Sequence, residues 1–271
     1  MIPRLFITLF VSLTFICNAT AAVDTVVVFS KKMNKPIKVV VVKPNLNRKL
    51  PVIYLLHGHG GNYAAWLKDA PQLAQKAAET GAILVMPDGG YNSWYFDSPV
   101  DSTVRYESFI TQELVTYIDS AYPTIANKNN RAITGLSMGG HGAFYLAIKH
   151  KDIFSAAGSI CGGLDIRPFL NNWQINKVLG SINTHKENWE KYTVINVIDS
   201  LKDGELQLIF DCGVDDFFFS VNQQVHQKLL AKKIKHDYIE RPGTHNGAYW
   251  RNSIDYHLLY FRKHFTSYPS P

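Results

Sequence analysis

The segment from Arg131 to Lys149 restricts the possible folds most. The apolar run Arg131-Ala132-Ile133-Thr134 meets Gly135-Leu136-Ser137-Met138-Gly139-Gly140, and a helical pattern fills residues 141–149. This reads as a strand turning sharply into a helix with Ser137 at the apex, a strained position that lifts its hydroxyl clear of a sheet. Glycine on both flanks has a steric reason, because a Cβ at 135 or 139 would collide with the neighbouring strand or the start of the helix. An ordinary strand-to-helix turn fits the same letters, so the chemistry depends on what lies downstream.

A serine hydroxyl is a poor nucleophile until a base takes its proton. Residues 205–210 read as a buried strand running into Asp211-Cys212-Gly213-Val214-Asp215-Asp216, where Gly213 marks a turn and Asp215 or Asp216 is the candidate acid. Residues 217–233 are predicted helical and 236–240 a short strand. The loop Arg241-Pro242-Gly243-Thr244-His245-Asn246-Gly247 then leads into a final helix. Serine, acid and histidine therefore follow in the order that strand-turn-helix hydrolases require. His245 is the candidate general base, with the aspartate fixing its tautomer. An oxyanion needs two donors, and the Met138 amide is one. The other should come from His57-Gly58-His59-Gly60-Gly61, which follows the apolar strand at 51–56; the His59 amide is favoured, with Gly60 in reserve.

The remaining pattern alternates strands with helices. Strands are predicted at 25–30 and 37–42, joined as a hairpin, then at 52–56, 83–86, 131–134, 155–160, 206–211 and 236–240. Helices lie near 70–80 and 107–122 besides those already described. One α/β domain over residues 22–271 suffices. The polar, helical stretch 162–203, with Trp173 and Trp189, is the longest departure from alternation and could wall or cover a pocket. His57 and His59 share a strand-like spacing, but they sit in a glycine loop without a cluster of ligand spacing, so no metal and no cofactor are expected. His141 reads as a packed or solvated helix-start residue, and His150, His185, His226, His236 and His257 as surface or structural.

Met1 to Arg4 carries one positive charge, residues 5–17 are apolar, and Ala19-Thr20-Ala21 is a small-residue cleavage pattern. Residues 1–21 thus read as a secretory signal peptide, giving a secreted or periplasmic chain starting near Ala22 with no membrane insertion of the mature part. Ile16 before Cys17 disfavours a lipoprotein signal. Cys161 and Cys212 end successive strands, and a disulfide or two buried thiols are equally open. The formal charge is +6. Its lysines and arginines are scattered without a nucleic-acid motif, so they read as solvated faces that could attract acidic polysaccharide.

Taken together, Leu55 to Gly61, Met86-Pro87-Asp88-Gly89-Gly90, Gly135 to Gly140, Glu187-Asn188-Trp189, Cys212 to Asp216 and Gly243 to Asn246 resemble the putative-esterase family of α/β-hydrolases. That family includes esterase D and S-formylglutathione hydrolases, feruloyl and acetylxylan esterases, and mycolyltransferases. The resemblance implies an α/β-hydrolase fold, with a mainly parallel sheet and helices on both faces. It maps the nucleophile to Ser137, the histidine to His245, the acid to Asp216 rather than Asp215, and the loop amide to His59. Gly60 and Gly61 stand where the glutathione-thioester branch carries a cysteine, which with the export signal favours esterases of polysaccharide. Trp94 and Tyr95, with Tyr91 and Phe96 nearby, are candidates for an aromatic acyl or sugar site. The implied activity is ester hydrolysis on a small-molecule or polysaccharide substrate; acyl transfer to a sugar and non-catalytic carbohydrate binding are the alternatives.

Overall fold

A computed structural model describes residues 20–267, so the expected signal peptide lies almost wholly outside the described residues. Ala21–Ser30 (β1) and Lys35–Pro44 (β2) form the expected hairpin, paired from Ala21↔Pro44 to Ser30↔Lys35. It is longer than predicted, because pairing continues through residues 21–24 of β1, where no side chain is fully buried and the apolar alternation is lost. Six strands follow: Val52–Leu56 (β3), Ile83–Pro87 (β4), Arg131–Gly135 (β5), Ala156–Ile160 (β6), Gln207–Gly213 (β7) and Asp237–Arg241 (β8). The sheet order is β1-β2-β4-β3-β5-β6-β7-β8, parallel from β4 to β8 and antiparallel at β1, β2 and their junction with β4.

β3 to β6 are buried at every position, which requires cover on both faces. Strand alternation shows where that cover comes from. A Cβ at Gly158 of β6 would meet His257 of the final helix, Gly247–Thr266, whereas the next residue, Ser159, faces Gly140 of the helix Met138–Lys149. Successive strand residues point to opposite faces, so the two helices sandwich the sheet. The first of these begins at Met138, three residues before the predicted pattern, because Gly139 and Gly140 are already helical. Residues 162–203 carry short helices, including Ile175–Leu179 and Ile182–Tyr192, held to the body where Ser98 Oγ donates to Val178 O at 2.6 Å and Tyr192 OH to Asp97 O at 3.2 Å.

Between β5, β7 and the final helix lies a buried polar chain. Thr134 Oγ1 donates to His257 Nδ1 at 2.8 Å, and His257 Nε2 donates to Asp211 Oδ1 at 3.0 Å. Ser253 and Arg241 complete the coordination of the other Asp211 oxygen. Here Gly158 makes the room, since a Cβ would stand 2.3 Å from the imidazole and 2.5 Å from the threonine hydroxyl. β6 and β7 are parallel neighbours in which Ile160 faces Asp211, so Cys161 and Cys212 come together as buried free thiols. Among the described residues no helix is long and apolar enough to cross a membrane.

Candidate active site

Ser137 has φ +55° and ψ −119°, a conformation that ordinary L residues avoid, and its neighbours enforce it. Leu136 N donates to Leu56 O, Ser137 N to Ile160 O at 2.9 Å, and Gly139 N closes the turn on Leu136 O at 2.7 Å. A Cβ on Gly135 would lie 2.4 Å from Gly139 O, and one on Gly139 only 2.2 Å from Leu56 O, so the turn excludes every side chain there. The hydroxyl that emerges donates to His245 Nε2 at 2.9 Å.

His245 sits in the loop after β8, held at the threshold of the final helix by Asn246, whose side chain caps Tyr249 N at 3.1 Å. Its Nδ1 donates to Asp216 Oδ2 at 2.7 Å, and Phe218 N donates to the other oxygen at 2.8 Å. The Asp216 side chain is fully buried, and Asp215 points to solvent. Burial alone would lower the His245 pKa, but the bond to Asp216, helped by the adjacent Cys161, outweighs it and raises the value. The structure thus brings Ser137, His245 and Asp216 into one hydrogen-bonded chain and leaves Asp215 outside it.

The two candidate loop amides differ. Gly60 N is spent on Tyr91 O at 2.8 Å and Gly61 N on Gly58 O at 3.0 Å. Among the described residues, the amides of His59 and Met138 have no such partner and remain available as donors. His57 ties this loop down: its Nδ1 donates to Gly58 O at 2.8 Å and its Nε2 accepts from Gly89 N at 2.8 Å. Burial lowers its pKa, which keeps the ring neutral, as the Gly89 bond requires. With both nitrogens spent on backbone, His57 has none for a metal.

Trp94 and Tyr95 differ from the sequence expectation. Tyr95 is fully buried under the loop with its hydroxyl on His57 O at 3.0 Å, and Trp94 packs edge-on against His141 at 5.4 Å. Both fill the core and offer no surface to a substrate. His141 is boxed in by Trp94, Phe96 and Tyr145, where burial pushes its pKa down to about 3. The aromatic surface beside the histidine comes instead from Phe217, half exposed with its ring 4.3 Å from that of His245, and from Trp173, stacked on Phe217 at 5.5 Å. Phe217 directly follows Asp216, and that adjacency was the one sequence signal for it.

A family model described as "Putative esterase" matches residues 30–261. Esterase Rv1288 of Mycobacterium tuberculosis is 29% identical over 224 residues, 73% of this chain and 49% of the relative, so the chain spans about half the length of that protein. An acetyl esterase of Caldicellulosiruptor saccharolyticus is 25% identical over 220 residues, 77% of this chain and 82% of the relative. Among solved structures, a ferulic acid esterase shares 26% identity with a TM-score of 0.77, covering 91% of this chain and all of the other.

Proposed function

The chain belongs to the Putative esterase family, and we propose that it is an exported serine esterase acting on carboxylic esters through an acyl-enzyme intermediate. Ser137 Oγ attacks the ester carbonyl carbon while its proton passes to His245 Nε2. Asp216 holds the proton on Nδ1 and stabilises the imidazolium that forms. The carbonyl oxygen becomes an oxyanion between the amides of His59 and Met138, donors of a kind worth roughly 10²- to 10³-fold each in turnover. The tetrahedral intermediate collapses as His245 gives its proton to the departing alcohol, and water repeats the cycle to release the acid.

The observation that carries this reading is the Ser137–His245–Asp216 chain at a positive-φ apex beside two unspent amides. A fluorophosphonate probe tests it. The protein should be labelled at Ser137, and Ser137→Ala should abolish the label; labelling that survives the substitution overturns the assignment. Feruloyl or acetyl esters of polysaccharide are the proposed substrates. The reading is supported by the aromatic face beside His245, formed by half-exposed Phe217 stacked on partly buried Trp173, and by the likeness to a ferulic acid esterase and an acetyl esterase. A panel of acetyl, feruloyl and aryl esters checks it, and addition of a sugar acceptor reveals transfer if a new ester appears. Export is supported by the leader pattern of residues 1–21, and the secreted protein should begin near Ala22. Recovery of the uncleaved chain from the cytoplasm would defeat that part.

A further inference from the structure

We propose that Cys161, His245 and Asp216 form an inhibitory binding site for one zinc-like divalent cation. The position of Cys161 is unusual. β6 ends at Ile160, and the cysteine follows with φ +44°, fully buried beside His245 and Asp216. Its Sγ, a His245 ring nitrogen and an Asp216 oxygen all lie within 4.8 Å of one another. Thiolate, imidazole and carboxylate are the ligands a borderline-soft ion selects, and around tetrahedral zinc such atoms stand about 3.3–3.7 Å apart. Shifts of about an ångström would therefore close the set, with solvent as fourth ligand.

Protons and charges balance on binding. On binding, Cys161 loses its thiol proton to solvent and becomes the thiolate ligand. The ion takes the place of the proton between His245 Nδ1 and Asp216 Oδ2, and the ring keeps a single proton on Nε2. Two anionic ligands then cancel the charge of the ion, so the buried assembly is neutral overall. The Nε2 that should accept the Ser137 proton now carries one itself. Inhibition follows from that tautomer alone and rests on the esterase reading; the binding does not.

The test uses the reduced full-length chain with cobalt(II) and zinc(II). Cobalt should produce a thiolate charge-transfer band at one equivalent, and zinc should suppress p-nitrophenyl acetate turnover reversibly with a chelator. Cys161→Ser and Cys161→Ala should lose the band and raise the inhibitory zinc concentration by more than about 100-fold, the scale reached by loss of an outer partner alone. Each variant is judged by its ratio of turnover with and without the ion. Cys212→Ala should keep the band. Absence of the band, equal zinc sensitivity in the Cys161 variants, or a Cys161–Cys212 disulfide in the protein purified without reductant overturns the proposal. Ser137→Ala separates the two readings: a band there, with no esterase activity in the wild-type chain, sinks the esterase reading and leaves the metal site standing.

Discussion

Among the described residues, two hydroxyl–imidazole–carboxylate chains lie at different depths, and only the outer one has the surroundings the esterase reading needs. At the rim, Ser137, His245 and Asp216 are linked at 2.9 and 2.7 Å; in the core, Thr134, His257 and Asp211 are linked at 2.8 and 3.0 Å. Both draw the hydroxyl from β5 or its end, the acid from β7 or the turn after it, and the histidine from the final helix or its threshold. The imidazole is reversed between them. At the rim the carboxylate takes Nδ1 and the hydroxyl Nε2, and in the core the assignments are exchanged. The decisive difference is the surroundings. Ser137 sits on a positive-φ turn next to unspent amides, whereas Thr134 is fully buried in a regular strand. On the esterase reading, a relay of three residues works only with a reachable hydroxyl and dipoles placed where charge develops.

Substitutions should separate the two chains, and the largest effect belongs to the rim. Ser137→Ala is expected to lower kcat by about 10⁴- to 10⁶-fold while leaving the melting temperature near that of wild type. Activity retained within tenfold would mean the wrong hydroxyl has been identified. Asp216→Asn should cost about 10⁴-fold through the wrong imidazole tautomer, whereas Asp215→Asn, at an exposed position, should stay within about twofold. Equal losses at the two aspartates would remove the distinction drawn from their burial.

In the core the expected currency is stability. Asp211→Asn leaves Arg241 and His257 without their anion and should cost about 3–5 kcal/mol in urea unfolding, with turnover per folded molecule little changed. Burial would raise the Asp211 pKa, but bonds from His257 and Ser253 and the charge of Arg241 hold it below the ordinary carboxylate value. A depressed carboxylate contributes stability that is complete above its unfolded pKa of about 4 and is lost as pH falls through the folded value. The melting-temperature gap between wild type and Asp211→Asn should therefore be constant above about pH 5 and narrow below about pH 4; a gap that widens in acid contradicts the sign. Smallest of all, Thr134→Val should cost about 1 kcal/mol, the value of one buried hydrogen bond whose partner is left unsatisfied. A thousandfold loss of turnover in this variant would erase the contrast between the two regions.

The rim was more legible in sequence than the core. Glycines flanking Ser137, an acid after a late strand and a histidine before the last helix are local signatures with a steric or chemical cause, and the sheet declared itself through strands without a polar face. His257 carried no companion motif, because Thr134 and Asp211 lie inside apolar runs where periodicity sees only strand. A threonine and an aspartate within otherwise apolar strands were nonetheless signs that a buried partner was needed. Trp94 and Tyr95 misled because an aromatic cluster after a glycine turn looks the same whether it fills a core or lines a pocket. Cys161 beside His245 depends on the crossing of β6 and β7 with a distant loop, which no window of sequence contains.

The final helix starts just past one imidazole and carries the other about 15 Å further along its axis. Its inner histidine bolts it to β5 and β7, the strands that deliver the reactive hydroxyl and the acid. That deep fastening acts as a keel, tying together below the rim the three segments that carry Ser137, Asp216 and His245.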